Sequence, residues 1–152
     1  MTVRAARAGE MAEVAVMFRE YQLELGVDLC FQDFEAELAH LPGKYAEPGG
    51  TILVAESGGE LIGVVAIRPD REGDCEMKRL YVRPAGRRLG TGDALVTALI
   101  DAARERGYRR MVLDTLDRLQ PAIRLYQRHG FTETPDYNGN PLPGVLFFAR
   151  EL

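Results

Sequence analysis

The sequence offers little with which to crosslink a chain, hold a metal or enter a membrane. Its 152 residues include two cysteines, Cys30 and Cys75. Two are too few for a disulfide framework, and neither belongs to a Cys/His cluster with zinc-ligand spacing, so no metal site is expected. No apolar run approaches the roughly 20 residues needed to cross a bilayer. The opening residues, Met1-Thr-Val-Arg-Ala-Ala-Arg7, lack the apolar centre of a signal peptide. The expected compartment is the cytoplasm, with no membrane partner. An excess of positive charge is missing as well. The formal net charge is −4, which argues against nucleic acid as a partner. No internal repeat or low-complexity segment is visible.

What is present is the composition of a globular domain. Hydrophobic residues make up 46% and charged residues 28% of the chain. The length suits one domain, residues 1–152, burying a single core. The charge is unevenly spread: residues 1–50 carry nine acidic and four basic side chains, and residues 51–152 carry fourteen and fifteen. An acidic first third ahead of a basic stretch suggests two unlike partners, one anionic and one cationic, or simply solvated helix faces.

Local patterns predict a mixed α/β order. Residues 3–5 can form a short edge strand. Met11, Val14, Ala15, Phe18, Tyr21 and Leu25 fall on one face of a helix over residues 8–25, which Gly26 would end. A second helix is expected over residues 33–41, stopped by Pro42-Gly43. Residues 51–56 and 60–67 read as strands joined by Ser57-Gly58-Gly59, a hairpin connection. A third strand follows the turn at residues 68–73. Residues 93–106 form a helix with Gly107 as its stop, and residues 108–114 a buried strand, completing a βαβ unit whose two strands should be parallel. Asp117 can cap a helix over residues 121–129, with Pro121 in its first turn and Gly130 as its stop. A strand from Phe131, a loop at residues 138–144 and a last strand over residues 145–149 complete a mixed sheet with helices on both faces.

The third strand has a broken rhythm. Cys75 and Met77 alternate with Glu76 and Lys78, but the next apolar pair is Leu80 and Val82. The phase slips by one at Lys78-Arg79, as a β-bulge would make it do. A bulge would splay this strand from its neighbour and leave backbone groups near Leu80, Tyr81 and Val82 free to pair with an extended ligand. The plainer alternative is that Arg79 is an amphipathic core residue.

The strand then runs into Arg83-Pro-Ala-Gly-Arg-Arg-Leu-Gly-Thr-Gly92. From Lys78 to Gly92 there are five basic residues and no acidic one. Glycines let a backbone bend sharply and approach a ligand, and a helix starting there presents unpaired N–H groups at the positive end of its dipole. That combination suits phosphate. It is neither a dinucleotide fingerprint nor a Walker loop, because the order Gly86-x-x-x-Gly90-x-Gly92 fits neither.

At these residues the chain resembles the GNAT superfamily of N-acetyltransferases, in a bacterial-type subgroup. Arg87-Arg-Leu-Gly90-Thr-Gly92 is similar to that family's Arg/Gln-x-x-Gly-x-Gly/Ala motif. Gln120-Pro-Ala-Ile-Arg-Leu-Tyr-Gln-Arg-His-Gly-Phe131 resembles its second signature: an alanine, a tyrosine four residues on, then Gly-Phe. The resemblance implies the acyl-CoA N-acyltransferase fold and acetyl-CoA as co-substrate. It implies that the N–H groups of Arg87, Arg88, Leu89, Gly90, Thr91 and Gly92 hold the pyrophosphate. Leu80, Tyr81 and Val82 would pair with the pantetheine arm, which Gln120 would touch from the place where other members have an asparagine. Tyr126 would be the general acid near the departing sulfur. Thr91 could add a hydroxyl to the phosphate.

The implied reaction is direct attack of a primary amine, on a small molecule or a peptide, upon the thioester. Such an amine is mostly protonated at neutral pH, with a pKa of about 10.4, so a base must take its proton. Glu76, just before the bulge, is the first candidate, acting through water; it also reads as a surface carboxylate paired with Lys78 or an arginine. Asp114 either faces the site or caps a turn. Residues 26–31 and 137–144 are the expected acceptor walls. His40 and His129 read as helix C-terminal caps, and Cys30 and Cys75 as small core residues. The last strand could pair across a homodimer. The alternative function is a coenzyme-A-binding sensor or interaction module without turnover.

Overall fold

A computed structural model describes residues 1–29 and 33–152. The expectations for Cys30 and Phe31 fall outside the described residues. The elements in chain order are β1 (Thr2–Ala5), α1 (Met11–Leu25), α2 (Phe34–Ala39), β2 (Thr51–Ser57), β3 (Glu60–Pro69), β4 (Asp74–Val82), α3 (Thr91–Glu105), β5 (Arg110–Leu116), α4 (Gln120–Arg128), β6 (Thr132–Glu133) and β7 (Val145–Glu151). The strands form one sheet in the order β1-β2-β3-β4-β5-β7-β6. Every neighbouring pair is antiparallel except β4 and β5, the two ends of the βαβ unit, which are parallel.

Strand alternation divides the sheet's side chains between two cores. Leu53, Ala55, Val65, Ile67, Cys75 and Met77 point to one face, where Leu95 and Leu99 of α3 and Ile123 of α4 cover them. Ile52, Val54, Val64 and Ala66 point to the other, under Val14, Phe18, Phe34 and Leu38 of α1 and α2. Both faces of β2 and β3 are therefore apolar, as expected for strands sandwiched between helices. Cys75 is one of the buried core residues, and burial pushes its thiol up to about 12.

Two local expectations change. The strand after α3 runs to Leu116 and not to Asp114, because Thr115 and Leu116 still pair with Leu146 and Val145 of β7. Asp114 thus lies inside a strand. The N-cap of α4 is Leu119, not Asp117, because the Leu119 carbonyl accepts the first helical bond, from the Ile123 N–H at 3.1 Å. Strand β7 does not lie at the edge of the sheet. Ala149 and Phe148 pair with Thr132 and Glu133 of β6, while the other side of β7 pairs with β5 along its length. At Phe148 and Ala149 both sides of β7 are therefore occupied.

Candidate active site

The irregular strand places the site. Along β3, Ala66 and Val64 are two residues apart; their partners on β4, Lys78 and Tyr81, are three apart. The extra residue is a bulge, and Arg79 takes the left-handed φ of 60° that it demands. Leu80 and Val82 thereby return to the face of Cys75 and Met77, while Tyr81 joins the opposite core. Arg79 is held in this unfavourable conformation by buried contacts. Its guanidinium makes two 3.0 Å bonds to Glu37 and lies over the ring of Phe34, 5.1 Å from the centroid. Such over-determination is what lets a strained residue persist.

The bend parts β4 from β5. They pair only at Asp74, Cys75 and Glu76 against Arg110, Met111 and Val112. Beyond Glu76 a cleft opens between them, lined by Met77 to Leu80 on one side and Leu113 to Leu116 on the other, with Ala122 and Tyr126 of α4 above. At one end the cleft continues as a groove past Leu80, Tyr81 and Val82 to Arg87 and Gly92, with Leu119, Ala122 and Leu125 as its opposite wall. At the other end it meets a vestibule with which it shares Lys78, Asp114 and Asn140. The passage crosses the domain at the splay.

At the groove end, residues 84–86 form a single 3₁₀ turn, Arg88 and Gly90 adopt φ of 65° and 74°, and α3 begins at Thr91. Arg87, Arg88, Leu89 and Gly90 are exposed. A Cβ on Gly90 would meet no protein atom within 4 Å, whereas one on Gly92 would approach Leu125 at 3.2 Å. The space over Gly90 is open and that over Gly92 is closed by the groove wall. The Thr91 hydroxyl does not face this space. Thr91 is buried and donates to the Gly86 carbonyl at 2.7 Å, fastening the turn to the helix. Only its backbone N–H is left for a ligand, which corrects the expectation for its side chain.

The basic side chains of this stretch are largely engaged within the protein. Arg83 reaches Glu13 and Glu20 of α1, at 2.7 and 2.9 Å, and Arg87 reaches Glu24. Arg79 takes Glu37. Four of the nine acidic residues of the first third, Glu13, Glu20, Glu24 and Glu37, are thus internal counter-charges of the basic stretch. That removes the argument from charge asymmetry for a cationic partner.

At the centre stands a buried charged cluster. Glu76 is 1% exposed and accepts bonds from Arg68 Nε at 2.9 Å, from the Tyr137 hydroxyl at 2.5 Å and from Asn138 Nδ2 at 3.4 Å. It is paired, as one reading of the sequence has it, but it is not on the surface. Lys78 Nζ lies 3.9 Å from both Glu76 and Asp114. Burial pulls the Lys78 ammonium below its ordinary pKa, against the pull of the two carboxylates. Asp114 receives Asn138 at 2.8 Å and Asn140 at 3.0 Å. Burial pushes its carboxyl up, but the charge of Lys78 and these two amides outweigh it, and the group sits below the ordinary range. Of the two carboxylates, Asp114 lines the cleft and Glu76 stands behind it.

Tyr126 also lines the cleft, packed edge-on against Phe131 with ring centroids 6.0 Å apart. Burial raises its hydroxyl above the usual phenol range, with smaller contributions from Tyr21 and Asp114. Its hydroxyl makes no hydrogen bond to another described residue.

The fold and this passage agree with what comparison finds. The model of the Acetyltransferase (GNAT) family matches residues 14–131. The chain belongs to the GNAT acetyltransferase family. It is 44% identical over 145 residues to an uncharacterized N-acetyltransferase of Schizosaccharomyces pombe, covering 94% of this chain and 89% of that one. It is 34% identical to the uncharacterized N-acetyltransferase YjgM of Escherichia coli, covering 82% and 77%. Among solved structures, a putative acyl-CoA N-acyltransferase of Klebsiella pneumoniae superposes with a TM-score of 0.77 at 27% identity, over 99% and 97% of the two chains. The yncA protein of Salmonella typhimurium, solved with its cofactor acetyl-CoA, shares the fold with a TM-score of 0.76 at 24% identity, over 99% and 93%. The protein is accordingly an N-acetyltransferase of the GNAT fold.

Within this GNAT domain the residues singled out from sequence do not all meet. Tyr126, Leu80 and the turn at residues 87–92 converge on one continuous passage. Gln120 does not line it: the side chain is exposed and turns back to the Asp117 carbonyl, leaving Leu119, Pro121 and Ala122 as the wall. His129 pairs with Asp93 at 2.8 Å, and His40 Nδ1 contacts the Ala36 carbonyl at 2.9 Å; neither lines the cleft. Of the two expected acceptor walls, residues 138–141 line the vestibule, and Leu29 alone represents residues 26–29 in the cleft. Sequence reading passed over Arg68, which both anchors Glu76 and lines the vestibule. Nothing local marks it, since it sits at an ordinary strand end.

Proposed function

We propose that this GNAT protein transfers the acetyl group of acetyl-CoA to a primary amine by direct attack. The observation that supports it best is the continuous passage from the glycine turn, along the splayed edge of β4, to Tyr126 and Asp114. The protein fits the donor where it has to: an exposed turn ahead of α3, open space over Gly90, and a strand edge that β5 leaves unpaired.

Bound acetyl-CoA would supply an activated acyl thioester. The N–H groups of Arg87 to Gly92, at the positive end of α3, would hold its pyrophosphate. Leu80 to Val82 would pair with the pantetheine through backbone groups, and N–H groups at the bulge would steady the developing oxyanion. Tyr126, with its raised pKa, stays protonated at neutral pH and so can donate to the leaving sulfur.

The two carboxylates divide the work at the amine. Asp114, held ionised by its neighbours, is a weak base but a good anchor for the incoming ammonium. Glu76 orients Arg68, Tyr137 and Asn138 around it. The ammonium proton then leaves through water in the vestibule, with Glu76 and Asp114 as its nearest carboxylates. The nitrogen would bond the acetyl carbon as the carbon–sulfur bond breaks; of its two departing protons, one passes through water to solvent and the other restores Tyr126, whose own proton goes to the released sulfur.

Thiol release from acetyl-CoA over a panel of amines tests the reading. Turnover with at least one amine, lost in Tyr126→Phe with acetyl-CoA affinity kept, is the expected result. Coenzyme binding without release on any amine would make the protein a binding module.

A further inference from the structure

We propose that the acceptor is a free amino acid or a close analogue: a primary amine beside a carboxylate, the amine at Asp114, the carboxylate on Arg68 and Lys44, and the side chain beside Tyr45. The inference rests on the acetyl-transfer reading above and specifies its acceptor.

The vestibule has a polarity. Its inner end is shared with the cleft through Lys78, Asp114 and Asn140; its outer end is shared with a second pocket of about 250 Å³ through Asp33, Lys44 and Arg68. The inner end carries Asp114 beside the buried Lys78, and the outer end carries Arg68 and Lys44 beside Asp33, so a zwitterion entering amine-first meets a carboxylate inside and two cations outside. Arg68 uses only Nε on Glu76, and its two terminal nitrogens have no hydrogen-bond partner among the described residues. A guanidinium with a free fork is suited to a planar carboxylate. Lys44 is exposed and forms no ion pair among the described residues. The chain contains only two lysines, Lys44 and Lys78, and both line this vestibule. Arg68 is paired with Glu76 behind the wall and Lys78 lies near Asp114, while Lys44 and Asp33 line the outer end without an ion pair between them. A wall that offers both signs, with cations in excess, favours a zwitterion over a plain cation, which would find Lys44, Arg68 and Lys78 in its way.

The second pocket adds an independent observation. Tyr45 lines it and is 1% exposed, yet its hydroxyl has no hydrogen-bond partner. Glu37 is its nearest carboxylate and acts on the hydroxyl electrostatically, but it is held by two bonds to Arg79 and makes no well-formed hydrogen bond to Tyr45. A buried polar group left unpaired is costly, and a polar acceptor side chain in this pocket would satisfy it.

Matched acceptors test the proposal: amino acids, their α-amides and their decarboxylated amines, compared by thiol release across several side chains. At least one free amino acid should exceed its amide and its decarboxylated partner by tenfold or more in kcat/KM. In Lys44→Gln, a surface change that leaves the Glu76 pair intact, that ratio should fall at least threefold. Arg68→Gln should bring it close to one. Tyr45→Phe should raise KM for the best amino acid at least threefold, whereas a merely orphaned hydroxyl would raise Tm and leave KM alone. Turnover of amides or decarboxylated amines as efficient as that of the acids would overturn the proposal and leave acetyl transfer standing. So would a preference unchanged in Lys44→Gln, or a KM unchanged in Tyr45→Phe. Absence of release with every amine would remove both readings.

Discussion

The two ends of the passage are built from different materials. The groove end is backbone: a bulge, a glycine turn and a helix N-terminus, with the nearby arginines turned to Glu13, Glu20 and Glu24. The vestibule end is side chain: Arg68, Asp114, Tyr137 and Asn138 in one network around the buried Glu76 and Lys78. Backbone donors are set by strand and turn geometry and survive most substitutions. A side-chain network is set by the identity of each member, and half-satisfied it is worse than none. The contrast teaches that the first end can stay constant while the second is free to define an acceptor.

The comparison can be broken at several points. The largest effect should come from Glu76→Ala, which leaves the half-buried Arg68 without its partner and the buried Lys78 with Asp114 alone. A loss of roughly 3–5 kcal/mol of stability is expected, read by chemical denaturation; a loss under about 1 kcal/mol would mean the network is looser than drawn. Next is Tyr126→Phe, where losing a general acid should lower kcat by about 10²-fold or more with little change in unfolding midpoint. A proportionate fall in stability would instead mark Tyr126 as core alone.

Smaller effects sharpen the groove end. Gly90→Val meets no atom of the protein but needs a left-handed φ, so it should cost about 1–2 kcal/mol of stability. It should also weaken acetyl-CoA by tenfold or more by filling the space over the turn. Unaltered affinity would move the phosphate elsewhere. Asp114 gives a pH signature. Its folded pKa is depressed, so its stabilising contribution is complete above its unfolded value of about 3.9 and is lost as pH falls through the folded value. The stability difference between the wild type and Asp114→Asn should therefore be constant from pH 7 to about 5 and shrink below about pH 4. The smallest change expected is from Glu24→Gln, which removes an exposed partner of Arg87 worth about 0–1 kcal/mol. It frees that arginine for phosphate, so isothermal titration should show equal or tighter acetyl-CoA binding, most clearly at low salt.

Much of the groove end was legible because it is local. The slip of alternation at Lys78-Arg79 can be read without knowing what packs nearby, and it marks the bulge at Arg79. The glycine spacing marks the turn, and the βαβ rhythm makes β4 and β5 parallel. The vestibule was only partly legible. The loop at residues 137–144 and Asp114 stood out by position, but Arg68 did not, and Glu76 gave no sign of being buried. The errors have the same origin. Thr91 was read as facing phosphate because nothing in its neighbours reveals that the Gly86 carbonyl lies within reach of its hydroxyl.

By itself the sequence determined the elements, the break in β4 and the glycine turn, because each follows from spacing within a few residues. The tertiary structure decided which charges meet. Arg83 finds Glu13 and Glu20 across more than 60 residues of chain, Glu76 finds Tyr137, and Asp114 finds Asn138 and Asn140. A charge acts on whatever lies within a few ångströms of it, and here the packing of helices on both faces of a splayed sheet decides those neighbours.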